Sequence, residues 1–142
     1  MSEKSTRIGE IVAAHHHREG PLLPILHDVQ AAFGCVDAEA EALVAKGLNL
    51  SRADVHGVVS FYHDYKSEAD PRPVLQICRA EACQARGVNA VAERAEAAAG
   101  ERVRIETVYC LGLCSAGPAA RTGDDLHIRL DEESVATLVQ GL

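Results

Sequence analysis

The hydrophobic and polar positions of the first part of the chain repeat at helical spacing and predict four short helices. In the second of these, Leu22, Ile25 and Val29 fall on one face. The first helix should run from Ser5 to about Arg18, the second from Pro21 to Gly34, and the third from Asp37 to Gly47. The fourth should begin at a capping box formed by Ser51 and Asp54. Short helices joined by brief turns predict a small helical bundle.

Residues 63–73 are polar, contain two prolines and lose the helical period. They mark the expected boundary between a helical domain over residues 1–70 and a second domain over residues 71–142. The second domain should contain a strand at 74–77, a helix at 88–99, a strand from 103 to 110, a hairpin of 119–122 with 126–130, and a last helix capped by Asp131. This order predicts an α+β fold class for the whole chain.

Composition and charge limit the functions that the chain can have. With 47% hydrophobic and 25% charged residues it has the make-up of a globular protein, and with 4% aromatic residues and no Trp its core must be mostly aliphatic. The net charge of −7 argues against nucleic acid as a partner. No segment resembles a signal peptide or a membrane span, which predicts a cytoplasmic location. In that reducing compartment, paired cysteines bind metals or act in catalysis more often than they form disulfides.

Two cysteine pairs lie in the second domain: Cys78 and Cys83 in CRAEAC, and Cys110 and Cys114 in CLGLC. We expect Cys78 to close the first strand and Cys110 to close the second. A helix between the two strands favours a parallel arrangement, so both cysteines should leave the sheet at the same edge. Cys83 and Cys114 follow in segments that can fold back over that edge. The sequence therefore predicts four thiol groups in one place.

Several kinds of site fit the two pairs to different degrees. A [2Fe-2S] cluster needs two thiolates for each iron, which two separated pairs can supply. Zinc is the alternative, because structural zinc sites accept about two to four residues between paired ligands. A disulfide relay would need a C-x-x-C motif, which neither pair has. The spacing favours the cluster over zinc, and a merely structural set of buried thiols is the least supported.

An iron-sulfur cluster gains one negative charge on reduction, and backbone N–H groups aimed at sulfur influence its potential. Gly112 and Gly117 give the second pair a backbone that can present such donors. Arg79 and Arg86 are the nearest cations in the sequence; each either stabilises the reduced state or serves as a solvated surface residue. Pro118 is expected to follow a trans peptide bond, the commoner form.

The other candidate residues have simpler explanations. The three histidines at 15–17 point in different directions from a helix and are expected at its solvated end. Cys35 has no second cysteine nearby and is expected to be a small buried residue. His56 and His63 are expected on the surface or against a partner. The sequence shows no nucleophile with a base and no phosphate-binding glycine motif, so we expect no bond chemistry from this chain alone.

The cysteine spacing in CRAEACQARG and CLGLCSAGP, behind LPILHDVQAAFGCV and DVHGVVSFYHDY, resembles the thioredoxin-like [2Fe-2S] family that includes the 24 kDa subunit of respiratory complex I. The resemblance extends from about Leu22 to Leu142. Through EACQARG and the short N-terminus, the chain is most similar to the gamma subunits of soluble, NAD-dependent, molybdenum-containing formate dehydrogenases.

The resemblance implies a helical bundle followed by a thioredoxin-like [2Fe-2S] ferredoxin domain, in which Cys78, Cys83, Cys110 and Cys114 ligate one cluster. It also implies a non-catalytic electron-transfer subunit that docks on a flavin- and NAD-binding beta subunit, in a complex whose molybdenum-containing alpha subunit oxidises formate. Equivalent subunits of an NADH:quinone oxidoreductase or an NAD-reducing hydrogenase are the alternatives within the family. A zinc-stabilised interaction module is the alternative from another class.

Overall fold

The computed structural model describes all 142 residues, which divide into two compact units, Met1–Pro71 and Arg72–Leu142. The first unit consists of the helices α1 (Glu3–His15), α2 (Leu22–Phe33), α3 (Ala38–Leu48) and α4 (Arg52–Phe61). The second consists of β1 (Val74–Cys78), α5 (Glu81–Ala85), α6 (Val88–Ala99), β2 (Arg104–Val108), a 3-10 turn (Cys114–Ala116), β3 (Ala120–Thr122), β4 (Asp125–His127) and α7 (Glu132–Gln140). The α+β class is confirmed. None of the helices is both long enough and apolar enough to cross a bilayer.

Side-chain caps start α3 and α4 where the sequence placed them. The Asp37 carboxylate accepts the Ala40 backbone N–H at 2.9 Å at the start of α3. The Ser51 hydroxyl accepts the Asp54 backbone N–H at 3.0 Å, and Asp54 accepts the Ser51 backbone N–H in return. Each cap gives a partner to a backbone donor that the first turn of a helix leaves free.

Two helix limits in the first unit differ from expectation. Helix α1 begins earlier, after the cap Ser2, and ends at His15 rather than near Arg18. Helix α3 continues through Gly47 and ends at Leu48, and its C-cap Asn49 has a left-handed φ of 54°. The glycine at position 47 is explained by packing, because a Cβ on Gly47 would meet the Val12 side chain of α1 at 3.0 Å. This glycine therefore allows two helices to approach closely and does not end α3.

The sheet of the second unit has the strand order β2-β1-β3-β4. Strands β1 and β2 are parallel, with Cys78 opposite Val108, and β1 pairs with β3 antiparallel, with Ile77 opposite Ala120. The core of this unit is aliphatic and alanine-rich, as the composition predicted, and it includes the side chains of Cys78 and Cys83. Helix α7 begins at a capping box of Asp131 and Ser134, so this expected cap is also present.

Two features of the second unit correct the sequence-based expectation. The last strand occupies Asp125–His127 instead of residues 126–130, because Thr122 pairs directly with Asp125 across a two-residue turn. After His127 the chain leaves the sheet, and Arg129 adopts a left-handed φ of 49°. The second difference is α5, a short helix that contains Cys83 and that no sequence pattern indicated.

The left-handed end of α2 provides a test of the first unit. Gly34 has φ 75°, its backbone N–H donates to the Gln30 carbonyl at 2.7 Å, and an added Cβ would lie 3.2 Å from the Ala69 Cβ. The Gly34→Ala substitution should therefore lower the free energy of unfolding by about 1 kcal/mol, since L side chains disfavour this conformation.

Gly57→Ala is the matched control, because Gly57 lies in the exposed middle of α4 with open space around it. There alanine should raise the free energy of unfolding by about 0.5–1 kcal/mol through its higher helix propensity. Chemical denaturation followed by circular dichroism measures both variants. Equal effects of the two substitutions would contradict the left-handed end of α2.

Candidate metal centre

The parallel pairing of β1 and β2 brings two of the four cysteines to one edge of the sheet. Cys78 is the last residue of β1 and lies opposite Val108, the last residue of β2. The sequence analysis placed Cys110 at the end of β2. In the structure Cys110 instead lies two residues after the last residue of β2 and has a left-handed φ of 66°. Cys83 lies within α5, and Cys114 begins the 3-10 turn.

The Cys78 sulfur lies where the segments of the two cysteine pairs come together. The Cys78 side chain is buried, and burial opposes its ionisation. The backbone N–H groups of Ala80, Cys110 and Leu111, together with the Cys83 thiol, outweigh that effect and hold the pKa of Cys78 below its usual value. Because Cys110 and Leu111 belong to the second pair's segment, that segment lies directly against the first pair.

The Cys83 sulfur lies against the segment that follows the second pair. Burial raises the pKa of Cys83; the Ala119 backbone N–H counteracts this in part, and the neighbouring thiols of Cys78 and Cys114 add to the increase. A Cβ on Gly117 would lie only 2.9 Å from the Cys83 sulfur. Position 117 can therefore carry only a hydrogen atom if Cys83 is to keep its place.

The second pair lies at the surface and is spaced like two ligands of one metal ion. The sulfur atoms of Cys110 and Cys114, both exposed, are 3.7 Å apart. Two sulfur ligands on a tetrahedral metal with bonds of about 2.3 Å are separated by about 3.8 Å. The contact with Cys110 raises the pKa of Cys114, because two neighbouring thiolates repel each other without a cation between them. The Gly112 backbone N–H donates to the Cys110 sulfur at 3.4 Å, the kind of contact expected of this glycine.

The donor set fits a two-iron cluster. The four thiol groups stand as two pairs, Cys78 with Cys83 and Cys110 with Cys114. The Gly112 backbone N–H donates to the Cys110 sulfur, and other backbone amides of both segments lie near enough to the Cys78 and Cys83 sulfurs to favour their negative forms. A [2Fe-2S] cluster needs two thiolates for each iron and is stabilised by N–H donors to sulfur.

The peptide bond between Gly117 and Pro118 is cis, so the expectation of a trans bond was wrong. The trans preference of an X–Pro bond is only about 0.5–1 kcal/mol, and the tertiary surroundings decide which isomer is present. Gly117, Pro118 and Ala119 are all buried beside Cys83, so their surroundings are closely packed. No pattern in the local sequence carries information about that packing.

The remaining cysteine and the histidines do not join this site. Cys35 lies in the first unit and is partly exposed, so the expectation that it is buried was wrong; it directly follows the exposed helix end at Gly34. His15 ends α1 and its Nε2 lies 2.6 Å from the Asp28 carboxylate, so the three histidines do not converge. His56 is exposed, with its Nδ1 3.1 Å from the Glu41 carboxylate.

Residues that sequence analysis missed contribute backbone atoms to the site. The backbone amides of Ala80 and Leu111 help to lower the pKa of Cys78 and that of Ala119 acts in the same direction on Cys83, and their side chains carry no chemical signal of that role. The proximity of Ala80 and Leu111 to a cysteine in the sequence was the only available indication. Ala119 had none, because it approaches Cys83 only through the folded chain.

Comparison with known proteins shows which family the chain matches. Residues 8–142 match the model of the thioredoxin-like [2Fe-2S] ferredoxin family. The HndA subunit of the NADP-reducing hydrogenase of Solidesulfovibrio fructosivorans is 29% identical over 119 residues, which cover 78% of this chain and 70% of that protein. The E 2 subunit of the NADH-quinone oxidoreductase of Rhizobium meliloti (strain 1021) is 28% identical over 137 residues, which cover 90% of this chain and 82% of that protein.

Two crystal structures of NAD+-reducing [NiFe]-hydrogenase share the fold. The H2-reduced state superposes with a TM-score of 0.70 at 23% identity and covers 84% of this chain. The air-oxidised state superposes with a TM-score of 0.68 at 21% identity and covers 99% of this chain. This chain spans only 21% and 24% of the respective hydrogenase chains, so the similarity concerns one part of a longer protein.

The family match, the fold and the two cysteine pairs support the same conclusion. A [2Fe-2S] cluster is the cofactor of this family, which confirms the cofactor favoured by the cysteine spacing over the zinc alternative. Since the match covers residues 8–142, the chain belongs to the thioredoxin-like [2Fe-2S] ferredoxin family.

Proposed function

We propose that this chain is an electron-transfer subunit that holds one [2Fe-2S] cluster on Cys78, Cys83, Cys110 and Cys114. The observation that carries the proposal is the contact between the pairs: a Cβ on Gly117, three residues after Cys114, would lie 2.9 Å from the Cys83 sulfur, and the backbone amides of Cys110 and Leu111 lie near enough to the Cys78 sulfur to lower its pKa. This contact makes the two pairs one site rather than two. When bound, the cluster supplies reversible one-electron oxidation and reduction.

The two pairs have different surroundings, which suits this role. Cys78 and Cys83 are 2% and 3% exposed and belong to the core of the unit, so they anchor the site to the fold. Cys110 and Cys114 are exposed, so one side of the site lies at the surface where a partner's redox group can approach. Tyr109, which is 75% exposed, adds an aromatic side chain to this surface next to Cys110.

We further propose that the partners are a flavin- and NAD-binding beta subunit and a molybdenum-containing alpha subunit of an NAD-dependent formate dehydrogenase. Support comes from the EACQARG segment and from the similarity to named subunits of an NADP-reducing hydrogenase and of NADH-quinone oxidoreductases. An equivalent place in a hydrogenase or in an NADH-quinone oxidoreductase is the alternative within the family.

Purification of the native complex through a tag on this chain tests the choice among these complexes. We expect a flavin-containing subunit and a molybdenum-containing subunit to co-purify, and the complex to reduce NAD+ with formate. A nickel-containing partner with hydrogen-dependent NAD+ reduction, or quinone reductase subunits, would replace the formate dehydrogenase assignment. The same preparation made from cells without the tag controls for adventitious binding.

Substitution of one proposed ligand should remove the cluster. Reconstituted protein should contain two irons and two sulfides per chain, and Cys114→Ser should lose most of that iron, because each iron needs two thiolates. Cys35→Ser is the matched control and should keep the full iron content, since Cys35 lies in the other unit. Equal iron loss in both variants, or a colourless protein with one zinc, would overturn the ligand assignment.

Gly117→Ala tests the close approach between Gly117 and Cys83. The added methyl group would lie 2.9 Å from the Cys83 sulfur, so it must displace that sulfur and should lower the iron content of reconstituted protein by more than about half. Gly141→Ala in the same unit meets its nearest atom at an ordinary 3.5 Å and should keep the iron. Iron and sulfide analysis measures both variants, and full iron in Gly117→Ala would contradict the observed packing.

A further inference from the structure

Arg86 brings a positive charge close to one of the cysteine sulfurs. It follows the end of α5, and its backbone N–H donates to the Cys83 carbonyl at 3.2 Å. Its side chain then passes over Gly117: the point that a Gly117 Cβ would occupy is 3.4 Å from Arg86 Cδ and 2.9 Å from Cys83 Sγ. Both atoms lie around the same point, and the guanidinium is bonded directly to Cδ, so the Arg86 side chain carries its charge into the neighbourhood of Cys83.

The other nearby cation, Arg79, is held by a different contact. Its guanidinium donates to the Asn89 side chain at 2.9 Å, on the first turn of α6. Arg121 is likewise held by the Gln76 side-chain oxygen, at 2.6 Å. Arg86 has no such partner among the described hydrogen bonds and ion pairs. The structure therefore distinguishes Arg86 from Arg79, which the sequence alone could not do.

The sign of the effect follows from electrostatics. Reduction adds one negative charge to the site, and a cation nearby lowers the free energy of the more negative form. The chain as a whole carries a net charge of −7, so the average field opposes reduction, and a local cation counteracts it. Arg86 is exposed, so water and salt weaken the interaction, and the effect should be moderate and should decrease with ionic strength.

We propose that Arg86 is a positioning residue that stabilises the reduced state of the site through the charge it holds beside Cys83 and Gly117, and that Arg79 does not share this role. This inference rests on the proposed function, since it requires a cluster on the four cysteines. It assigns a role to a residue that is not a ligand. The role depends on charge and position, and not on the shape of the side chain.

The experiment is a redox titration of the reconstituted full chain, monitored by optical and electron paramagnetic resonance spectra. It compares variants that differ in the charge at position 86. Arg86→Gln removes the charge, Arg86→Lys keeps it and Arg86→Glu reverses it. Arg79→Gln tests the other cation near the pairs, and Arg94→Gln, on the exposed face of α6, controls for the loss of any surface cation. Iron and sulfide contents are measured for every variant.

At the potential that half-reduces the unaltered protein, Arg86→Gln should lower the ratio of reduced to oxidised protein by about twofold to tenfold; tenfold corresponds to about 59 mV for one electron. Arg86→Glu should lower the ratio further, and Arg86→Lys should restore most of it. Arg79→Gln and Arg94→Gln should change it by less than about twofold. Added salt should reduce the Arg86→Gln effect.

The outcomes separate this inference from the function on which it rests. If the unaltered protein holds two irons and titrates reversibly but Arg86→Gln matches Arg94→Gln, the role of Arg86 is overturned and the proposed function stands. An equal shift in Arg79→Gln, or a shift in Arg86→Lys as large as in Arg86→Gln, also overturns it, because position and charge would then not decide the effect. An unaltered protein without iron overturns both.

Discussion

The contact between the two cysteine pairs is the constraint on which the rest of the second unit depends. The proposed site needs four thiol groups, up to 36 positions apart in the sequence, at one sheet edge, and the segments of the two pairs approach each other at the Cys78 sulfur. The backbone amides of Cys110 and Leu111 lie near that sulfur and lower its pKa. Such donors compensate a buried sulfur for the loss of water, and they favour its negative form. The site is therefore organised by backbone atoms as much as by the cysteines.

The parallel pairing of β1 and β2 makes this contact possible. With Cys78 opposite Val108, the chain that leaves β2 passes immediately beside the end of β1. The left-handed conformation at Cys110 then turns the second segment at that edge. On the other side, Gly117 lies so close to Cys83 that no Cβ fits between them. One pair is thus buried in the core while the other stays at the surface, an asymmetry that suits exchange of electrons with a partner.

The sequence predicted much of the fold because its signals are local. The capping boxes at Ser51 and Asp131 are short-range patterns, and each depends on atoms only three residues apart. Where a residue serves a distant contact, the same reasoning fails. Gly47 looked like the end of α3, but it allows the approach of Val12. Helix α5 is short and has no apolar period of its own, so periodicity could not reveal it.

For the site, the sequence by itself determined which chemical groups are available: two thiol pairs, their spacing and their order around a strand, a helix and a strand. Spacing along a chain limits which pairs can share a metal ion, and this favoured the cluster over zinc. Only the tertiary structure decided which backbone donors face each sulfur, which pair is buried, and that Arg86 rather than Arg79 lies beside Gly117. These properties depend on distances between residues remote in sequence, and such distances exist only once the chain has folded.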